Sequence, residues 1–145
     1  MRASDLNPET QRKLFGEVIK PPPRTISKTA EDTFAFQCMA MKLPPFEREF
    51  KFATEQGLGF RFDFAWPRYK AALECDCLVI KRVRGDLIVS GRHVHPNGWR
   101  RDAEKYALAA CLGWHVLRFE QTQITNGIAI DFMVRLLQSK GWAAT

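Results

Sequence analysis

Asp63, Glu74 and Asp76 are the residues of this chain whose types and spacing best suit joint chemistry. The run from Phe60 to Pro67 alternates aromatic and non-aromatic residues and reads as a half-buried strand. A second strand is expected from Ala71 to Ile80, beyond a turn at Pro67-Arg68-Tyr69. Side chains alternate across a strand, so Phe60, Phe62 and Phe64 are expected on one face and Arg61, Asp63 and Ala65 on the other. On the second strand Glu74 and Asp76 share a face, and Leu73, Cys75 and Cys77 share its opposite. A tight turn near Arg68 sets Asp63 across from Glu74, with Asp76 two residues further on. Three carboxylates within hydrogen-bonding range repel one another, and a cation relieves that repulsion. Oxygen donors of this kind suit Mg²⁺ or Mn²⁺. The plain alternative is a set of solvated acids on a wet sheet face. The apolar run Leu78-Val79-Ile80 and the dense aromatics point instead to a covered strand.

The elements that must position these acids are legible in outline. Residues 1–28 read as an arm: a short helix from Asp5 to Ile19, then Lys20-Pro21-Pro22-Pro23-Arg24 as an extended linker. A domain over 29–145 follows. Its first helix is expected from Thr29 to Leu43, opened by a capping pattern at Thr29 and Asp32, with Phe34, Cys38 and Met41 at helical spacing. Phe46 to Ala53 reads as a first strand carrying Glu49, which is expected to face solvent. Residues 81–98 are polar, basic and glycine-punctuated, and are expected to form a flexible loop with a hairpin turn at Arg84-Gly85-Asp86. A helix from Trp99 to Leu112 would bury Ala103, Tyr106, Ala107 and Ala110 and end at Gly113. A strand over 114–119, with His115 in a structural role, leads to a last helix from Asn126 to Lys140, closed by Gly141 and turning Ile130, Met133, Val134 and Leu137 inward. The expected class is α/β: a mixed central sheet flanked by helices in the order α-β-β-β-α-β-α.

With these motifs in this order, the chain resembles the PD-(D/E)XK nuclease superfamily. More narrowly, it is similar to small phage and bacterial endonuclease-like proteins related to the very-short-patch repair endonucleases. The resemblance is carried by Arg61 to Pro67, Glu74 to Asp76, Gly91-Arg92-His93, Asp102 to Tyr106 and Gly113 to Phe119, within residues 30 to 138. It implies a restriction-endonuclease-like core and a Mg²⁺- or Mn²⁺-dependent endonuclease acting on DNA in phage or bacterial recombination or repair, on branched, mismatched or nicked substrates. It implies Asp63 and Glu74 as principal metal ligands. The superfamily usually places a lysine two residues after the second acid. Asp76 occupies that seat here, as a further ligand or a group that positions water, and Lys105 is the candidate for the missing cation. His93 is placed near the scissile phosphate as acid, base or phosphate donor. Lys81, Arg82, Arg84, Arg92 and Arg100 are the candidate phosphate contacts. The alternative implied function is a catalytically silent nuclease fold that binds DNA or a protein partner.

Composition agrees with one compact domain of this kind. The chain has 145 residues, 46% of them hydrophobic, enough to bury a core without staples. Its net charge of +6 and pI near 9.4 suit a polyanionic partner drawn to an acidic pocket. Cys38, Cys75, Cys77 and Cys111 fall in apolar elements, which predicts buried, reduced thiols and a cytoplasmic protein. No membrane span or signal peptide is visible in the sequence. Cys75-x-Cys77 and His93-x-His95 offer zinc-ligand types, but the two cysteines are expected to face the core. Cutting both strands of a duplex symmetrically calls for two active sites, so a homodimer is among the expected partners, besides DNA.

Overall fold

The computed structural model describes residues 25–76, 78–91 and 96–145. Most of the expected arm, as well as Cys77, Arg92, His93 and His95, lies outside the described residues. The elements are α1 (Thr25–Ala40), β1 (Glu47–Lys51), β2 (Arg61–Trp66), a 3₁₀ turn (Pro67–Tyr69) and β3 (Ala71–Asp76). They continue with β4 (Leu78–Val83), β5 (Asp86–Gly91), α2 (Pro96–Cys111), β6 (His115–Glu120), α3 (Gln121–Thr125) and α4 (Ile128–Ser139). A four-stranded mixed sheet in the order β1-β2-β3-β6 forms the centre. β1/β2 and β2/β3 are antiparallel, and β3/β6 is parallel. The α/β class, the mixed sheet and the flanking helices agree with the sequence expectation.

Two apolar layers hold the helices to the sheet. On one face Phe34 and Cys38 of α1 pack with Phe64, Trp66 and Leu73 of the sheet and with Ile124, Met133 and Leu137 of α3 and α4. Phe34 meets Phe64 edge-on at 5.0 Å and Trp66 at 6.5 Å. On the other face Ala109 of α2 packs with Phe52, Phe62, Ala72 and Trp114. β3 is therefore covered on both sides, with Leu73 facing one layer and Ala72 the other, as a central strand must be.

The aromatic strand does not alternate as expected. Phe62 lies with the α2 layer and Phe64 with the α1 layer, although two residues apart should share a face. β1 does the same: Phe46 contacts the α1 layer and Phe50 the α2 layer. Both strands change face at one rung, where Glu49 would oppose Asp63. The regular pairing of Arg48 with Phe64 and of Phe50 with Phe62 skips that rung, and Glu49 has φ +51. An unpaired rung with one residue in left-handed backbone is a local twist, with the register unchanged on either side of it. It sends rings into both cores and leaves two acids in the plane between them.

Several other expectations are corrected. α1 begins at Thr25, before Thr29, and Met41 lies past its end, half exposed. β3 ends at Asp76 and β4 begins at Leu78, so the expected ten-residue strand from Ala71 is divided between two elements. β4 pairs with β5 in a separate two-stranded sheet, so residues 81–91 of the expected loop form a ribbon around the expected turn, and 96–98 open α2. Arg84 (φ +51) and Gly85 (φ +90) make its two-residue turn, the left-handed pair that matches strand twist. On α2 Ala109 is buried and Asp102, Lys105, Tyr106 and Leu108 are half-buried, whereas Ala103, Ala107 and Ala110 are exposed. His115 and Cys111 are exposed as well, not structural or buried. α3, unforeseen, is started by a capping box in which Glu120 accepts from the Gln123 and Thr122 amides. Gly113 (φ +82) ends α2 and Gly141 (φ +92) follows α4, as expected. Among the described residues no helix is long and apolar enough to cross a membrane.

Candidate active site

β2 and β3 diverge just beyond the Phe64–Leu73 pair, and the space between them is where the acids meet. Asp63, freed from the ladder by the twisted rung, accepts the Cys75 backbone N–H through Oδ2 at 2.7 Å. Its carboxylate takes the place of a ladder carbonyl and fixes its own position in doing so. Cys75 itself packs towards the α1 layer. Glu74 therefore points the other way, towards α2, and Asp76 follows on the same face. Glu74 is 8% exposed, the one charged residue among the described residues that is buried.

Lys105 of α2 donates to Glu74 Oε1, with its ammonium near the rings of Phe62 and Tyr106 at 5.6 Å and 5.4 Å. It is a largely buried lysine in contact with Glu74. Asp102 instead lies 3.9 Å from Arg118 of β6. Arg118 grips Asp76 with two bonds, Nε to Oδ2 at 3.0 Å and Nη2 to Oδ1 at 3.3 Å, and lies over the Tyr106 ring at 4.3 Å. Such bidentate geometry is the stronger form of carboxylate recognition.

The charges do not balance within the pair. Burial is the main reason that Glu74 is pushed up to about 8, and Asp63 beside it, sharing a side-chain hydrogen bond, adds to the rise. Lys105 acts in the opposite direction without cancelling them. Burial likewise raises Tyr106, with Glu74 next in effect. Glu31 of α1 is raised too, first by burial and then by Asp63, while Arg48 pulls it back.

Asp63 also belongs to a second group. Among the described residues, Glu31, Glu49 and Asp63 have carboxylate oxygens within 4.8 Å of one another, close enough for a cation. Glu31 pairs with Arg48 at 2.5 Å and Glu49 with Arg61 at 2.7 Å. Glu49 is exposed, as the sequence suggested, yet is turned towards Asp63. These donors fit a hard divalent ion: all are carboxylate oxygens, and they converge from two strands and a helix. Asp63 is common to both groups. Asp76 lies apart, on Arg118.

The sequence reading missed Glu31 and Arg118, and both had a signal. Glu31 precedes Phe34, Ala35 and Cys38 at helical spacings of three, four and seven, an acid on an apolar stripe. Arg118 falls at the same strand parity as Trp114 and Val116, a cation continuing an apolar face. Of the candidate phosphate contacts, Arg82 and Arg84 are exposed near the ribbon tip and Arg100 is exposed on α2. Lys81 lies on β4.

No protein-family model, curated protein or solved structure matches the chain.

Proposed function

We propose that this chain is a divalent-metal-dependent DNA endonuclease of the PD-(D/E)XK type. The observation that carries the reading is the convergence of Asp63 and Glu74 from neighbouring antiparallel strands, with an ammonium group from α2 on Glu74. In that role Asp63 and Glu74, with Glu31 or Glu49 beside Asp63, would hold Mg²⁺ or Mn²⁺, which lowers the pKa of bound water and offsets charge on a phosphoryl group. Lys105 supplies the cation that the chain lacks two residues after Glu74, positioned to orient a water or meet a phosphate oxygen beside the acid. Tyr106 and Phe62 shield the ammonium and keep its bond to Glu74 strong. Arg118 holds Asp76 rigid at the rim, and His93 is a further proposed participant as acid, base or phosphate donor.

One observation favours the alternative, a silent fold that binds DNA or a protein. Lys105 on Glu74 and Arg118 on Asp76 give two of the acids protein partners. Incubating end-labelled branched, duplex and single-stranded DNA with the protein and Mg²⁺ or Mn²⁺ tests both. Asp63→Asn and Glu74→Gln are each expected to lower cleavage by roughly a hundredfold or more. Variants that cut as well as the parent protein would remove the endonuclease reading. A parent protein that shifts DNA in a gel without cutting any form would favour the silent one.

A further inference from the structure

A cleft of about 320 Å³ opens beside the Lys105–Glu74 pair, lined by Phe60, Arg61, Arg101, Asp102 and Lys105, with Gly59 at its edge. Its volume is at the small end of ligand sites, about 300 Å³ upward. Its cations come from two elements: Arg61 from β2, held at 2.7 Å by Glu49, and Arg101 and Lys105 from α2. Its apolar wall is the last member of a ladder of rings. Phe62 stacks on Phe52 with centroids 4.1 Å apart and planes 6° apart, and Phe52 stacks on Phe60 at 6.3 Å and 17°. The ladder is closed at Phe62, nearly closed at Phe52 and half-buried at Phe60, over whose ring the Arg101 guanidinium lies 5.7 Å from the centroid. Lys105 connects the two ends, touching Phe62 and Glu74 inside and lining the cleft outside.

We infer that this cleft receives one nucleotide of an unpaired strand, its base stacked on the Phe60 ring where the Arg101 guanidinium now lies and its phosphate taken up by Arg101 and Lys105. A flat apolar ring flanked by cations one side chain from a phosphodiester-cleaving centre matches how single strands are held: stacking that tolerates any base, and a basic path for the backbone. A paired base offers no free face to Phe60, so the substrate class is a single-stranded segment, flap or displaced nucleotide, not an intact duplex. The inference rests on the reading of Asp63 and Glu74 as the reacting centre.

Gly59 supplies a clean probe. A Cβ there would meet nothing within 4 Å, and the backbone is not left-handed, so Gly59→Leu adds bulk to the cleft lining without strain in the fold. Binding of fluorescently labelled twelve-nucleotide dT, its RNA counterpart and a duplex of equal length is measured by anisotropy, with Ca²⁺ in place of Mg²⁺. Phe60→Ala and Gly59→Leu are each expected to weaken single-strand binding roughly tenfold, and Phe60→Trp to restore it, with duplex binding changed less than twofold. Arg101→Gln lowers the salt slope of single-strand binding by about 0.7. Single-strand binding unchanged in both Phe60→Ala and Gly59→Leu, or duplex binding lost in parallel, overturns the inference. Asp63→Asn, run alongside for cleavage, separates the two failures. Cleavage that needs Asp63 with binding indifferent to Phe60 sinks only the cleft, whereas binding that needs Phe60 without cleavage of any substrate sinks only the endonuclease.

Discussion

Glu74 is buried next to another carboxylate, and both conditions favour a proton on its oxygens. The folded protein keeps that proton up to about pH 8, whereas the unfolded chain releases it near the ordinary glutamate value of 4.5. Between those limits the folded state binds more protons than the unfolded one, so stability falls as pH rises. The metal-free protein is expected to lose melting temperature steadily from pH 5 to pH 8. Glu74→Gln, which keeps an acceptor for Lys105, should flatten that slope, and added Mn²⁺ should offset the loss at pH 8. A melting profile in EDTA that is equally flat for both proteins would contradict the account. Lys105 allows a second test. Lys105→Gln removes a cation from the acids, so Mn²⁺ affinity by calorimetry should hold or rise while cleavage falls roughly a hundredfold. A merely structural lysine would lower both together.

At the scale of elements, the twisted rung between β1 and β2 decides where the acids go. Period-two reading placed Asp63 opposite Glu74 through the turn at Pro67, and the register Phe64–Leu73 agrees with that spacing. The same reading put Phe62 and Phe64 on one face, because nothing in the sequence marks Glu49 as a residue that will adopt φ +51. Left-handed backbone is expected of glycine or asparagine, not glutamate. The β4–β5 ribbon was half legible. Its turn residues were visible at Arg84-Gly85, but the flanking residues are too polar at β4's end to read as strands. Arginine is a poor occupant of the first turn position, where asparagine is favoured. Arg84→Asn should increase hydrogen-exchange protection of the β4–β5 amides. If Arg84 touches a phosphate, it should also lower the salt slope of duplex binding by about 0.9.

For the molecule as a whole, the sheet is clamped by two apolar layers and the acids lie where neither layer reaches. Class, sheet and helical flanks follow from hydrophobic periodicity, which reports which face is buried. The pairing of Lys105 with Glu74 and of Arg118 with Asp76 brings residues 31 and 42 positions apart together, and local pattern carries no such information. Phe34 links fold to site, since it anchors α1 to the sheet one turn from Glu31. Phe34→Ala is expected to cost about 3–5 kcal/mol in urea unfolding, a large share of a stability of about 5–15 kcal/mol.

The ribbon stands apart from this clamped body. Its two strands pair with each other and not with the main sheet, and Leu87, Ile88 and Val89 remain exposed on it. Brief trypsin treatment should therefore nick the chain first after Arg82 or Arg84. The fragments should stay associated and melt near the temperature of the uncut protein, because no rung of the four-stranded sheet passes through the severed turn.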